Sequence, residues 1–162
     1  MSYKSNRIIV SMIAGAVMFA LYLITAMGNS APAQDDLKEW AMLILTFVVI
    51  TIVAIIVIQI VFHIIYSIGV TVKSDENDVE MIERLIESSL ADDEMDKLIE
   101  SRSNSVGSSF VGLGFIVMLL GYAFFDMSAV LALNVVFSFF VIGAIVQGCV
   151  QVYFYERGIR NG

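Results

Sequence analysis

The chain has 162 residues, of which 59% are hydrophobic and only 15% are charged. This composition excludes an ordinary water-soluble globule and is typical of a small integral membrane protein. The single cysteine excludes a disulfide framework, and the net charge of −7 argues against nucleic acid as a partner.

Four apolar segments, none of which contains Asp, Glu, Lys or Arg, follow one another along the chain. They comprise residues 8–27, 40–70, 106–125 and 127–155. Each is long enough for a helix to cross about 30 Å of hydrocarbon, and none alternates with the period of two of a barrel strand. We therefore predict an all-α fold, a four-transmembrane-helix bundle in which residues 1–162 form one membrane domain.

A secretory signal peptide is the alternative interpretation of the first segment. Lys4 and Arg7 precede the apolar run, and Ala31-Pro32-Ala33 resembles a cleavage site. A run of twenty residues exceeds the apolar core of about 7 to 15 residues in typical signal peptides, so a retained helix is favoured.

The basic residues predict the topology. Eight of the nine Lys and Arg residues lie before the first span, between the second and third, or after the fourth, and only Lys38 lies on the other side. The positive-inside rule then places both termini and residues 71–105 in the cytoplasm. We expect a multi-pass protein of a prokaryotic plasma (inner) membrane.

Residues 71–105 hold eleven acidic and four basic residues, which accounts for the whole net charge. Apolar residues recur at helical spacing over residues 79–90, and the phase breaks before Asp93 and Glu94, which suit the first turn of a new helix. The pattern predicts a cytoplasmic amphipathic helical segment, a hairpin or elbow whose second arm is continuous with the third transmembrane helix.

The amphipathic segment is the first candidate site, as a surface for a cytoplasmic protein partner or for a second copy in a homo-oligomer. Its apolar stripe and its acidic side chains predict these partner-binding residues: Ile82, Leu85, Ile86, Asp93, Asp96 and Glu100. Calcium binding is disfavoured, because the acidic run keeps a helical register and lacks the glycine of a calcium loop. We predict no metal site.

A polar intramembrane cluster is the second candidate site. Gln59 and His63 lie four residues apart near the inner end of the second span, and Gln147 and Gln151 lie likewise in the fourth. They suggest a parallel repeat of two hairpins whose four side chains meet in the inner half of the bundle, as structural hydrogen bonds or as a polar pocket. No cofactor is predicted, because the usual paired ligation of a membrane haem needs a second histidine.

Pairs of small residues predict faces on which helices pack closely, either inside the bundle or at a homodimer interface. Ser11 and Gly15, Ser108 and Gly112, and Ala144 and Gly148 are each separated by four positions, which places both members on one helical face. Cys149 is expected to be a packing residue of the fourth span rather than a reactive thiol.

The run from Asp93 to Glu100, Asp-Glu-Met-Asp-Lys-Leu-Ile-Glu, resembles the cytoplasmic D-E-x-D-x-x-I-E motif of a family of uncharacterised small prokaryotic multi-span membrane proteins. The ending Tyr155-Glu156-Arg157-Gly158 is similar to that family's closing motif. The resemblance covers about the last seventy residues and implies an inner-membrane protein without an assigned activity.

Two hypotheses of function follow. The first is a non-enzymatic regulatory or structural interaction protein that acts through its acidic cytoplasmic helices. The alternative is a small transporter or channel subunit that uses the polar cluster and requires a water-accessible cavity among those side chains. An enzyme is not expected, because catalytic motifs and intramembrane carboxylates are lacking.

Overall fold

The computed structural model describes residues 3–29, 31–73 and 94–158, and in these ranges it contains four helices and no strand. The helices are α1 (Tyr3–Met27), α2 (Leu37–Lys73), α3 (Glu94–Phe124) and α4 (Ala129–Arg157). All four are long and apolar enough to cross a membrane. The predicted all-α bundle of four membrane-spanning helices is confirmed.

Helix α3 begins well before its apolar span. It starts at Glu94 and continues without a break through Phe124, with Glu94 and Asp96 in its first turn, where acidic side chains favour the helix dipole. The predicted continuity between the second arm of the amphipathic segment and the third span is therefore confirmed from residue 94 onward. The first amphipathic helix, predicted over residues 79–90, lies outside the described residues.

Short polar caps fix where α2 and α4 begin. The Oδ1 of Asp36 accepts a hydrogen bond from the backbone N–H of Glu39 at 3.0 Å, and the Oγ of Ser128 accepts one from Leu131 at 3.2 Å. The buried indole of Trp40 donates to the carbonyl of Ala33 at 3.0 Å. Each bond satisfies a polar group or a helix-terminal donor that the fold would otherwise leave unpaired.

The most extensive contact between helices joins α3 and α4. The buried positions of α3 lie on one face and are Ile99, Ser103, Gly107, Gly114 and Gly121. A Cβ atom built on Gly143 of α4 would lie only 2.8 Å from the carbonyl oxygen of Gly107. Glycine is required at this crossing because the two backbones are in contact.

The small-residue pairs differ in what they contact within the chain. Gly148 packs against α1, since a Cβ atom there would lie 2.4 Å from Met12. At Gly15 and Gly112, by contrast, an added Cβ atom would meet nothing within 4 Å, so neither glycine marks a close contact between described helices, and packing against a second copy stays a prediction. The spacing places small residues on one face but does not tell whether that face meets a neighbouring helix.

Helix α4 uses separate faces for its two neighbours. Gly143 meets α3 and Gly148 meets α1, and five residues rotate a helix by about 140° from one face to the other. Helix α2 packs mainly against α1 and makes few contacts with α4. This arrangement leaves an unfilled space between α1, α2 and α4.

Candidate functional site

A cavity of about 770 Å³ occupies the space between α1, α2 and α4, with the first turns of α3 at one end. Its volume lies within the usual range of about 300 to 1,000 Å³ for small-molecule sites. Along α1 the lining extends from Lys4 to Tyr22, and along α4 from Phe137 to Tyr155. Each of these stretches corresponds to about 27 Å of helix, which is nearly the thickness of the hydrocarbon core.

One end of the cavity, here the charged end, is formed by Lys4 and Arg7 of α1 and by Asp96 and Glu100 of α3. Lys4 and Asp96 form an ion pair whose side chains are only 25% and 14% exposed. Arg7 and Glu100 are exposed, so the charged end is accessible to solvent. The formal charges at this end sum to zero, because the lining contains two basic and two acidic side chains.

Polar uncharged side chains line the next part of the cavity. They are contributed by Ser11, Gln59, Gln147 and Gln151. The amide nitrogen of Gln59 donates to the Oγ of Ser11 at 3.4 Å, which links α2 to α1. Gln147 lies against the backbone of α3, since a Cβ atom on Gly107 would lie 2.9 Å from its Oε1.

The structure therefore brings together three of the four members of the predicted polar cluster. Gln59, Gln147 and Gln151 share one cavity, whereas His63 is exposed and does not line it. The helices α1 and α2 form the first hairpin, and α3 and α4 form the second. Gln59 of α2 contacts Ser11 of α1, and Gln147 of α4 likewise contacts Gly107 of α3. The parallel repeat itself stays a prediction.

The other end of the cavity, here the aromatic end, is closed by packed rings around the buried Tyr22. Its ring centroid lies 4.7 Å from that of Phe137 and 5.4 Å from that of Phe47, both in edge-to-face geometry, and 6.3 Å from that of Phe19. The Tyr22 hydroxyl donates to Oδ1 of Asn134 and so joins α1 to α4. Edge-to-face ring pairs stabilise such a cluster beyond simple burial.

The side of the cavity between α2 and α4 is open. Ile52 of α2 and Phe140 of α4 both line the cavity, yet they are 53% and 56% exposed. Since both residues line the cavity and also lie at the surface, and since α2 and α4 make few contacts, the cavity opens to the outside of the bundle on this side. On the opposite wall, Gly15 lines the cavity without a side chain and leaves its space unfilled.

The predicted partner surface is described only in part. Asp96 and Glu100 lie at the charged end of the cavity, and Asp96 pairs with Lys4 of α1. The remaining members lie outside the described residues: Ile82, Leu85, Ile86 and Asp93. The partner surface therefore stays a prediction.

Sequence reasoning did not find the aromatic end. Tyr22 and Asn134 are uncharged polar residues within the apolar segments of α1 and α4, and such a side chain within the membrane is stabilised by a partner on another helix. That rule could have paired them. The rings around Tyr22 give no signal in a sequence where Phe is common throughout the apolar segments.

Cys149, which was expected to be a packing residue of the fourth span, is exposed on α4. It immediately follows Gly148, which faces α1, and one residue turns a helix by about 100°. Within the described ranges, no group of three or more His, Cys, Asp or Glu residues is placed to hold a metal ion.

Comparisons with protein-family models, with curated proteins and with solved structures give no match for this chain. The likeness to the prokaryotic family with the D-E-x-D-x-x-I-E motif thus stays a prediction.

Proposed function

We propose that the protein is a non-enzymatic small transporter subunit that binds an amphiphilic molecule in the cavity between α1, α2 and α4. The observation that supports this proposal is the order of the lining, which is charged at one end, carboxamide-rich next to it and aromatic at the other. A ligand with a polar head and an apolar body matches this order, because polar groups that leave water need hydrogen-bond partners and apolar groups do not.

Uncoupled movement suits the cavity better than coupling to an ion. Ion-coupled and proton-coupled carriers usually place an ionisable side chain within the membrane. The ionisable residues of this lining are confined to the charged end, apart from the tyrosines, and its central part carries serine and glutamine. We therefore propose a facilitator, in which the substrate moves between the solvent-accessible charged end and the aromatic end without a coupled ion.

The interaction hypothesis has less support from the described residues. Four of its six residues lie outside them, and the other two belong to the wall of the cavity. The carrier hypothesis, in contrast, depends on side chains that surround one defined space. It also gives the three glutamines a function, which is to bind the polar part of the ligand. A bundle with a purely structural role does not need glutamine side chains at a cavity wall.

We also propose the orientation and the location of the protein. The charged end faces the cytoplasm of a prokaryote and the aromatic end faces outward across the plasma membrane. The support is the order of the sequence, in which eight of the nine basic residues precede the first apolar segment, lie between the second and the third, or follow the fourth.

A flux measurement tests the proposed function. Purified protein is reconstituted into liposomes that contain a fluorescent single-chain lipid, and dithionite bleaching of outer-leaflet fluorophores reports how fast inner-leaflet probe crosses the bilayer. Gly15→Leu, which fills the cavity wall, should reduce flux to the level of protein-free liposomes. Gly112→Leu is the matched control, because an added Cβ atom meets nothing within 4 Å at either glycine but Gly112 does not line the cavity.

Equal flux in the Gly15→Leu and Gly112→Leu proteins would contradict the proposal. A second measurement concerns water in the cavity. In a Cys149→Ser background, Ser11→Cys should react with a charged, membrane-impermeant methanethiosulfonate, whereas Ser109→Cys on the outer face of α3 should not. Equal protection of both thiols would show that water does not enter the cavity and would also count against a carrier.

A further inference from the structure

We infer that the ligand of the cavity is a zwitterionic phospholipid that enters from the surrounding membrane through the opening between α2 and α4. This inference rests on the proposed function and names its ligand class and source. It follows from the charges at one end of the cavity, from its length and from its open side.

The charges at the charged end select the head group. Lys4 and Asp96 neutralise one another in their ion pair. Arg7 and Glu100 have opposite charges and are exposed on two different helices, and neither forms a salt bridge to a residue that the structure describes. A head group with one phosphate and one ammonium group satisfies both, the phosphate at Arg7 and the ammonium at Glu100.

Head groups of a single charge fit less well. An anionic head group would be attracted by Arg7 but repelled by the carboxylate of Glu100. A cationic head group would be attracted by Glu100 but repelled by Arg7. Like charges that approach one another disfavour binding, and the effect is stronger where protein excludes part of the water. The balanced lining therefore discriminates against both.

The next layer of the cavity suits the ester region of a phospholipid. Ser11 lies one turn deeper than Arg7 in α1, and Gln59 of α2 donates a hydrogen bond to it, so this layer presents hydroxyl and carboxamide groups. Carboxamide N–H groups donate hydrogen bonds, and ester carbonyl oxygens are acceptors. Beyond this layer the lining becomes apolar and aromatic up to Tyr22, which suits an acyl chain.

The dimensions and the open side indicate that the ligand comes from the membrane. A bilayer measures about 40 to 45 Å with its head groups, so one phospholipid is roughly 20 Å long. The cavity extends along about 27 Å of α1, enough for one such molecule lengthwise. The exposed Ile52 and Phe140 form an apolar edge through which a lipid can pass without its chain entering water.

Native mass spectrometry of the full chain tests this inference. Protein is released from bilayers with equal amounts of phosphatidylethanolamine and phosphatidylglycerol, and the lipid that stays bound is identified. The wild type and Gly112→Leu should retain one phosphatidylethanolamine with about a fivefold preference, the ratio expected of one weak ionic contact. Gly15→Leu should retain neither lipid above the background.

Two variants at exposed positions test the head group without altering the bundle. Arg7→Gln and Glu100→Gln should each retain lipid but lose the preference for phosphatidylethanolamine. Arg102→Gln, an exposed residue of α3 that does not line the cavity, is the matched control and should keep the preference. The melting temperature of each variant is measured alongside, so that loss of lipid is separated from loss of fold.

Each outcome has a distinct meaning. Equal retention of both lipids, with loss in Gly15→Leu, would overturn the zwitterionic selectivity and leave the proposed carrier intact. Equal retention in the wild type and in Gly15→Leu would show lipid bound outside the cavity and would overturn the inference. If probe flux is then also insensitive to Gly15→Leu, the proposed function fails together with the inference.

Discussion

The contact between Gly107 and Gly143 offers the sharpest test of the packing of α3 against α4. In Gly143→Ala, the new methyl group would lie 2.8 Å from the carbonyl oxygen of Gly107 and 3.2 Å from the Cβ of Phe110. A backbone oxygen cannot turn aside as a flexible side chain can, so the helices must separate. Overpacking of this kind costs about 1 to 3 kcal/mol, against a gain of up to about 1 kcal/mol in helix propensity.

Gly112→Ala isolates the steric part of this cost. The same substitution in α3 receives the same gain in propensity, but its methyl group meets nothing within 4 Å. The free energy of unfolding of Gly143→Ala should therefore lie about 1 to 3 kcal/mol below that of Gly112→Ala. The measurement is reversible unfolding in mixed micelles by titration with sodium dodecyl sulfate, followed by circular dichroism. Equal stability of the two variants would refute the contact between the helix backbones.

Three further predictions concern single polar contacts. Tyr22→Phe removes the hydrogen bond to Asn134 but keeps the ring, and should lower the unfolding free energy by about 0.6 to 1.7 kcal/mol in the same micelle titration; no loss would mean that the bond does not join α1 to α4. Asp36→Ala removes the cap of α2 and should cost about 1 kcal/mol, whereas Asp35→Ala, which lacks that bond, should cost little; similar losses would argue against the cap. A double-mutant cycle of Lys4→Ala and Asp96→Ala should give a coupling of about 1 kcal/mol that weakens in high salt, and additive effects would contradict the ion pair.

The membrane helices could be predicted because their signal is a simple one. Absence of charge over twenty or more residues fixes a span by the thickness of hydrocarbon alone, without knowledge of any neighbour. The true helix ends were less accessible, since α1 begins at Tyr3 and α3 at Glu94, both among polar residues that water can solvate. Hydropathy marks where a chain enters lipid, and a helix continues beyond that point as long as nothing stops it.

The site was predictable only where helix register decides it. Gln147 and Gln151 share a cavity because four positions return nearly to the same face, and Gln59 shares its face of α2 with the cavity-lining Ile52 and Ile55. His63 obeys the same spacing but does not line the cavity. Register within one helix cannot fix the angle at which that helix faces the others, and it cannot reveal a space that exists because α2 and α4 hardly touch.

The size of the cavity argues that something fills it. The cavity of about 770 Å³ is open to the outside of the bundle and is reached by solvent at its charged end, so water or lipid enters it. Water can fill the charged end, where Arg7 and Glu100 are accessible. It is a poor occupant of the aromatic end around Tyr22, which offers it few partners. Hydrocarbon fits the aromatic end and not the charged end. A single amphiphilic molecule therefore satisfies both ends at once. Its binding would stabilise the fold as well as serve the proposed function.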